Sequence, residues 1–177
     1  AMFVLISIVS GPARVDASSL DTVAEATAVL SPYEIYPIPQ GQTYGGSSFT
    51  ITDDVNLVIE GAIDESTRNF LNNILSSKSI RATKSDAVVS GKTNVLVGIK
   101  NSKGYVDTYF NGNIDYVADT FNHQDAYVLD IDNKSAQAGN IAILGADTDA
   151  AYYGLATLKM ILDQLPGKNI QSVKYED

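Results

Sequence analysis

The chain has 177 residues, 45% of them hydrophobic and 19% charged, which is enough for one buried core and far from the composition of a disordered chain. Lys and Arg number 12 against 21 Asp and Glu, a formal net charge of −9 with no basic run, so a phosphate backbone would be repelled and nucleic acid is excluded as a natural partner. Cysteine is absent, which removes disulfides, thiol nucleophiles and zinc–thiolate centres together.

The chain opens on "MFVLISIVSG", an apolar run too short to be a transmembrane helix, for which about 20 residues are needed. Val15 and Ala17 in "PARVDA" then stand at small-residue positions suited to signal-peptidase cleavage. Residues 1–17 read as the remnant of a secretory signal. The alternative is a buried N-terminal strand, since "FVLISIV" is rich in β-branched residues. Residues 18–32, dominated by small side chains, read as a linker, and a folded domain is expected over 33–177.

Within that domain, Pro37 and Pro39 in "YEIYPIPQ" predict an extended edge strand, because proline fixes φ and pushes its predecessor toward β. "GQTYGGSS" has the composition of a turn, and "SFTITDDVNLVIEG" reads as two short strands around Asp53 and Asp54. The period then changes. Ile63, Thr67, Phe70, Leu71, Ile74 and Leu75 share one helical face, with Asp64 placed as N-cap and Glu65 in the first turn. Strands follow at "SIRAT" and "TNVLVGIK", the second nearly continuous in apolar residues and therefore central. "GYVDTYFNGN" suggests a short helix, "IDYVADTFNHQD" a connection, and "DAYVLDID" and "NIAILGA" two strands. A long helix follows with Ala151, Leu155, Leu158 and Leu162 on one face; Pro166-Gly167 stops it, and "NIQSVKYED" reads as a last strand. The expected fold class is α/β (α+β), a mixed sheet with two main helices packed on one face.

One residue of that helix is out of place by propensity: Gly154 costs about 1 kcal/mol relative to alanine in a helix interior. With Ala150 four residues earlier it presents nearly bare backbone, flanked by Tyr153 and Thr157, so close packing on the sheet is the expected reason.

The residues offer little chemistry. His123, the single histidine, excludes sites that need two imidazoles, and no G-x-S-x-G elbow or phosphate-cradling glycine loop is present. Asp130 and Asp132 open a calcium-like loop that fails at Lys134 and has no closing glutamate. Asp147 and Asp149 precede a helix, where aspartate caps. Asp107, Asp115, Asp119 and Asp125 read as surface residues, not as a converging catalytic pair. Tyr36, Tyr44, Tyr105, Tyr109, Tyr116, Tyr127, Tyr152 and Tyr153 are dispersed among the elements; packing with a bonded hydroxyl is the default, a sugar-stacking platform the alternative. No catalytic, cofactor-binding or metal-binding residue is assigned, and no cofactor is called for.

Two stretches together resemble a known family. "YEIYPIPQGQTYGGSSFTITDDVNLVI", with its Y-P-x-P-Q, G-G-x-x-F-x-[IV]-T-D and V-N-[IL]-V pieces, is similar to the start of the accessory domain preceding the catalytic barrel in glycoside hydrolase family 84, the β-N-acetylglucosaminidases and clostridial hyaluronidases. "DAYVLDIDNKSAQAGNIAILGADTDAAYYGLATLKMIL" resembles the close of the same domain, and related domains occur in family 20 hexosaminidases. The resemblance implies a non-catalytic N-terminal domain of a secreted bacterial glycoside hydrolase acting on N-acetyl-β-glucosaminides. Its partner would be the downstream catalytic barrel of the same polypeptide, and an exposed apolar patch is expected where the two meet. The family's paired catalytic acids belong to the barrel, so none is carried onto a position here. A carbohydrate-binding module with its own site for N-acetylated glycans is the alternative.

Overall fold

The computed structural model describes residues 31–133 and 138–177. The secretory signal expected over 1–17 and all but the last two residues of the linker expected over 18–32 lie outside the described residues, as does Lys134.

Seven strands form one mixed sheet: β1 (Gly41–Thr50), β2 (Asp54–Ile59), β3 (Arg81–Lys84), β4 (Asn94–Ile99), β5 (Tyr127–Asp132), β6 (Asn140–Gly145) and β7 (Asn169–Glu176), in the spatial order β1-β7-β5-β6-β4-β2-β3. Strands β3, β2, β4 and β6 run parallel; β5 is antiparallel to both β6 and β7, and β1 to β7. The apolar run of β4 sits centrally because it is buried on both faces.

Two of the sequence expectations need correction at the N-terminal edge. The proline-bracketed segment 33–40 is not a strand, and the glycine-rich stretch expected to turn is the middle of β1. The pairing of β1 with β7 shifts register between Tyr44 and Ser48, and a side chain at Gly45 would fall 2.7 Å from the Ser172 Cβ. The glycine serves the bulge and the close approach of β7, a use that composition cannot distinguish from a turn. Nor do β1 and β2 lie together despite the short link at Ile51–Asp53; four strands separate them.

Helices α1 (Glu65–Ser77) and α3 (Thr148–Gln164) pack on one face, as the periodicity expects. Asp64 accepts from the Thr67 amide at 2.7 Å and Asp147 from the Ala150 amide at 2.9 Å, so both helices start on aspartate caps. Leu71, Ile74, Leu155, Leu158 and Ile161 meet Val55, Leu57, Val95, Val97, Leu129 and Ile143 of the sheet in one core. Gly154 lies on β5 and β6: a side-chain carbon there would stand 2.7 Å from Ile143 Cγ2 and 3.2 Å from the Tyr127 ring. The glycine therefore lets the helix axis approach the sheet. Thr157 flanks it as expected, bonded to the Tyr127 hydroxyl at 2.6 Å, whereas Tyr153 points to solvent.

The short helix expected near residue 105, α2 (Tyr105–Asn113), takes the opposite face, where Val106 and Phe110 pack on Val58, Leu96, Ala142 and Leu144. A 3₁₀ turn (Ala118–Asn122) carries the chain on to β5.

Candidate functional site

Strand β2 leads into α1 on one face and its neighbour β4 leads into α2 on the other. Such a topological switch point opens a crevice beyond the carboxyl ends of the strands, where α/β sheets bind ligands. A cleft of about 360 Å³ lies there, lined by Glu60, Gly61, Ala62, Asp86, Ser102 and Tyr105 among others.

One side of the crevice is bridged by the protein itself. Glu60, the residue after β2, turns its carboxylate across the gap: Oε2 accepts from the Ile99 amide and Oε1 from the Asp107 amide, each at 3.1 Å. The second of these amides belongs to the first turn of α2, where the helix dipole favours an anion. Two glycines make room. A side-chain carbon at Gly98 would come within 2.8 Å of the Glu60 Cδ, and one at Gly104 would overlap its Oε1.

Beside it, Asp107 is buried, contrary to the expectation of a surface residue. Its two oxygens accept from the amides of Asn101 at 3.1 Å and Lys103 at 3.0 Å. Both donors have left-handed backbones, φ 63° and 61°, uncommon for residues with side chains. Asp107 is thus the partner that holds the β4–α2 loop, and Arg68 does the same for the β2–α1 loop by donating to the carbonyls of Glu60 and Ile63. The Glu60 and Asp107 carboxylates are thus tied to backbone amides and hold the loops at the switch point.

At the other ends of the strands a buried amide ladder crosses the sheet. Asn56 donates to Asn94 at 2.8 Å, Asn94 to Asn140 at 2.9 Å, and Asn140 to the Tyr109 hydroxyl of α2 at 2.8 Å. Asn94 also accepts from the Val89 amide at 2.7 Å, so the ladder holds the loop between β3 and β4 as well. Nothing above singled these asparagines out. The available signal is that three apolar runs, "NLVI", "NVLVGI" and "NIAILG", each begin with asparagine.

The remaining candidates are dispersed. Asp130 and Asp132 lie on β5, and among the described residues no three His, Asp or Glu side chains converge as a metal site. Asp115, Asp119 and Asp125 are exposed, as expected, and so is His123; Asp149, expected to cap, lies exposed in the first turn of α3, whose cap is Asp147. His123 and Asp119 border a cleft of about 250 Å³ against Glu176, a residue that the sequence reading passed over. Burial alone would push the Glu176 carboxyl upward, but bonds from Lys174, the Val117 amide and the Thr120 hydroxyl outweigh it and hold the carboxyl below its ordinary range. This carboxylate ties the 3₁₀ turn to β7.

The tyrosines make no single platform. Tyr127 is buried, and desolvation raises its hydroxyl to about 12 despite the bond with Thr157. Tyr44 packs edge-on to Tyr175 and Tyr116 to Phe121, while Tyr36 is exposed. Two pairs with one exposed ring each remain: exposed Tyr152 stacked on half-buried Phe70 at 4.4 Å, on α3 and α1, and exposed Tyr105 beside half-buried Tyr109 on α2.

Comparison with known proteins decides the family. The family model described as glycosyl hydrolase family 20, domain 2, matches residues 32–177. The chain belongs to this domain family. Among solved structures, CpGH84D is 42% identical with a TM-score of 0.77 over 82% of this chain, and CpGH84B is 27% identical with a TM-score of 0.59, also over 82%. The GH20 exo-β-N-acetylglucosaminidase of Vibrio harveyi, at 17% identity and a TM-score of 0.50 over 80% of the chain, shares the fold. The chain spans 24%, 22% and 18% of these three proteins, about a quarter of their length or less. The accessory domain expected from the resemblance is therefore what the chain is, and among the described residues no helix is long and apolar enough to cross a membrane.

Proposed function

We propose that this chain is the non-catalytic N-terminal domain of an exported bacterial glycoside hydrolase that acts on N-acetyl-β-glucosaminides, of the β-N-acetylglucosaminidase or hyaluronidase type, and that it packs against a catalytic barrel further along the same polypeptide. The observation that supports the non-catalytic part is the engagement of Glu60: the carboxylate bordering the cleft where such a sheet would hold a substrate is bonded to two backbone amides and serves the structure of the loops. The partner is supported by the small share of CpGH84D that the chain spans, and by large apolar side chains left on its surface, Tyr36 and Ile38 at 70% and 69% exposure and Tyr152 and Tyr153 on α3.

The test is release of a fluorogenic leaving group from an N-acetyl-β-glucosaminide by this chain and by a longer chain extended through the barrel. Turnover by the longer chain alone is expected. Turnover by the 177-residue chain would place the catalytic acids among the residues described above and overturn the reading.

A further inference from the structure

A groove of about 400 Å³ lies on the α2 face, between that helix and the loop joining β3 to β4. One wall is Val88, Val89 and Ser90. The other is Tyr105, Tyr109 and Asn113, which recur every four residues and so share one flank of α2. Its floor is the amide ladder at Asn94 and Asn140.

Three properties distinguish this groove from the other clefts. Its walls are held in place, since the Tyr105 hydroxyl accepts from the Val88 amide at 3.2 Å and the Tyr109 hydroxyl from Asn140 at 2.8 Å. Its apolar surface faces water: Val88, Val89 and Tyr105 are 39%, 40% and 38% exposed, and the two tyrosine rings are inclined by only 25° with centroids 6.4 Å apart. Finally, none of the described side chains lining it is charged, in a chain of net charge −9. An ionic ligand would lose its hydration there with no countercharge in return. A neutral ligand with one apolar face and a polar rim meets partners on every side.

We propose that this groove is a binding subsite for a neutral pyranose that carries an N-acetyl group. The C–H face of the ring lies on Tyr105. The acetamido methyl contacts Val88 and Val89, and the ring hydroxyls reach Ser90 and Asn113, both exposed on the rim. The subsite lies apart from the outer surface of α1 and α3 and shares only Tyr105 with the lining of the switch-point crevice, so its occupancy is read independently of turnover.

The test is a ¹H–¹⁵N NMR titration of the full 177-residue chain with N-acetylglucosamine and its β-1,4-linked dimer, with glucose and glucuronate as controls. Saturable shifts confined to residues 88–90 and 105–113 are expected with both N-acetylated probes, weaker ones with glucose, and none with glucuronate. Tyr105→Ala should weaken binding roughly tenfold through loss of the stacking face. Because that change also releases the Val88 amide, Val89→Asp is the second variant: it leaves the tyrosine bonds and the ladder intact, puts a charge in the wall, and should abolish the shifts. Shifts that are absent, that do not saturate, that fall elsewhere on the molecule, or that survive Val89→Asp would overturn the subsite. Equal binding of glucose would overturn its preference for the acetamido group.

Discussion

The two faces of the sheet are built on different physics. On the α1/α3 face, leucine, isoleucine and valine from two long helices and five strands merge into one core, and specificity comes from shape, including the absent side chain at Gly154. On the α2 face the apolar cluster is smaller, and much of what fixes the structure is polar: the Asn56–Asn94–Asn140 ladder, the Glu60 and Asp107 carboxylates on backbone amides, and Glu176 under the 3₁₀ turn. A shape-based face tolerates exchange at constant volume. A hydrogen-bonded face does not, since removing one partner strands the others in a dry environment.

The sharpest way to break this contrast is a pair of substitutions, one that keeps the branching of the side chain while removing its polar atoms and one that keeps its volume. Asn94→Leu should cost roughly 3–5 kcal/mol, because it leaves the amide groups of Asn56, Asn140 and Val89 without their partner. Leu155→Met, on the other face, should cost less than about 1.5 kcal/mol. Chemical denaturation of the two variants would decide, and similar losses would mean that the ladder is no more demanding than ordinary core.

Added volume tests the shape-based face directly. Gly154→Leu should destabilise by about 1–3 kcal/mol through overpacking on Ile143 and Tyr127, read as a lower melting temperature. An unchanged melting temperature would show that α3 can lift away from the sheet at little cost.

A smaller effect concerns a buried polar pair on that face. Tyr127→Phe should cost about 1 kcal/mol for the lost bond to Thr157. It should also change the alkaline limb. A folded-state value raised to about 12 means that the folded protein keeps a proton that the unfolded chain gives up near 10, so stability is full below 10 and falls as pH rises toward 12. The variant should lose less stability over that window, which denaturation at pH 9 and pH 11 would show.

The smallest expected effect is at acid pH. Glu176 is held below its ordinary range, so its contribution is present above about 4.3 and is lost as pH falls through the folded-state value. Glu176→Gln should flatten the acid limb of a melting-temperature profile by a few degrees. An unaltered limb would assign acid sensitivity to the exposed pairs Lys92–Asp54 and Lys168–Asp53 instead.

The amide ladder shows how such a feature escapes a reading of residues in order. Asn56, Asn94 and Asn140 are each unremarkable at the start of a strand; they become a network only when β2, β4 and β6 align them in register. Asp107 escaped for a related reason, since an aspartate in the first turn of a short helix reads as a solvated dipole partner until the loop before it folds back onto its carboxylate. Gly45 and Gly46 misled in the opposite direction: turn chemistry and bulge chemistry use the same residue.

The sequence by itself determined the elements whose signal is periodic or local: the α1 and α3 faces, their caps at Asp64 and Asp147, the apolar central strand, and the packing role of Gly154. These follow from spacing along one helix or strand, which the chain carries wherever it folds. Only the tertiary structure decided that β1 and β2 lie far apart, that α2 covers the opposite face, that Glu60 reaches across to the amides after β4 and that three asparagines join. Each of these depends on a contact between residues roughly forty or more positions apart in sequence or on the order of strands in the sheet, and neither is encoded in any local window.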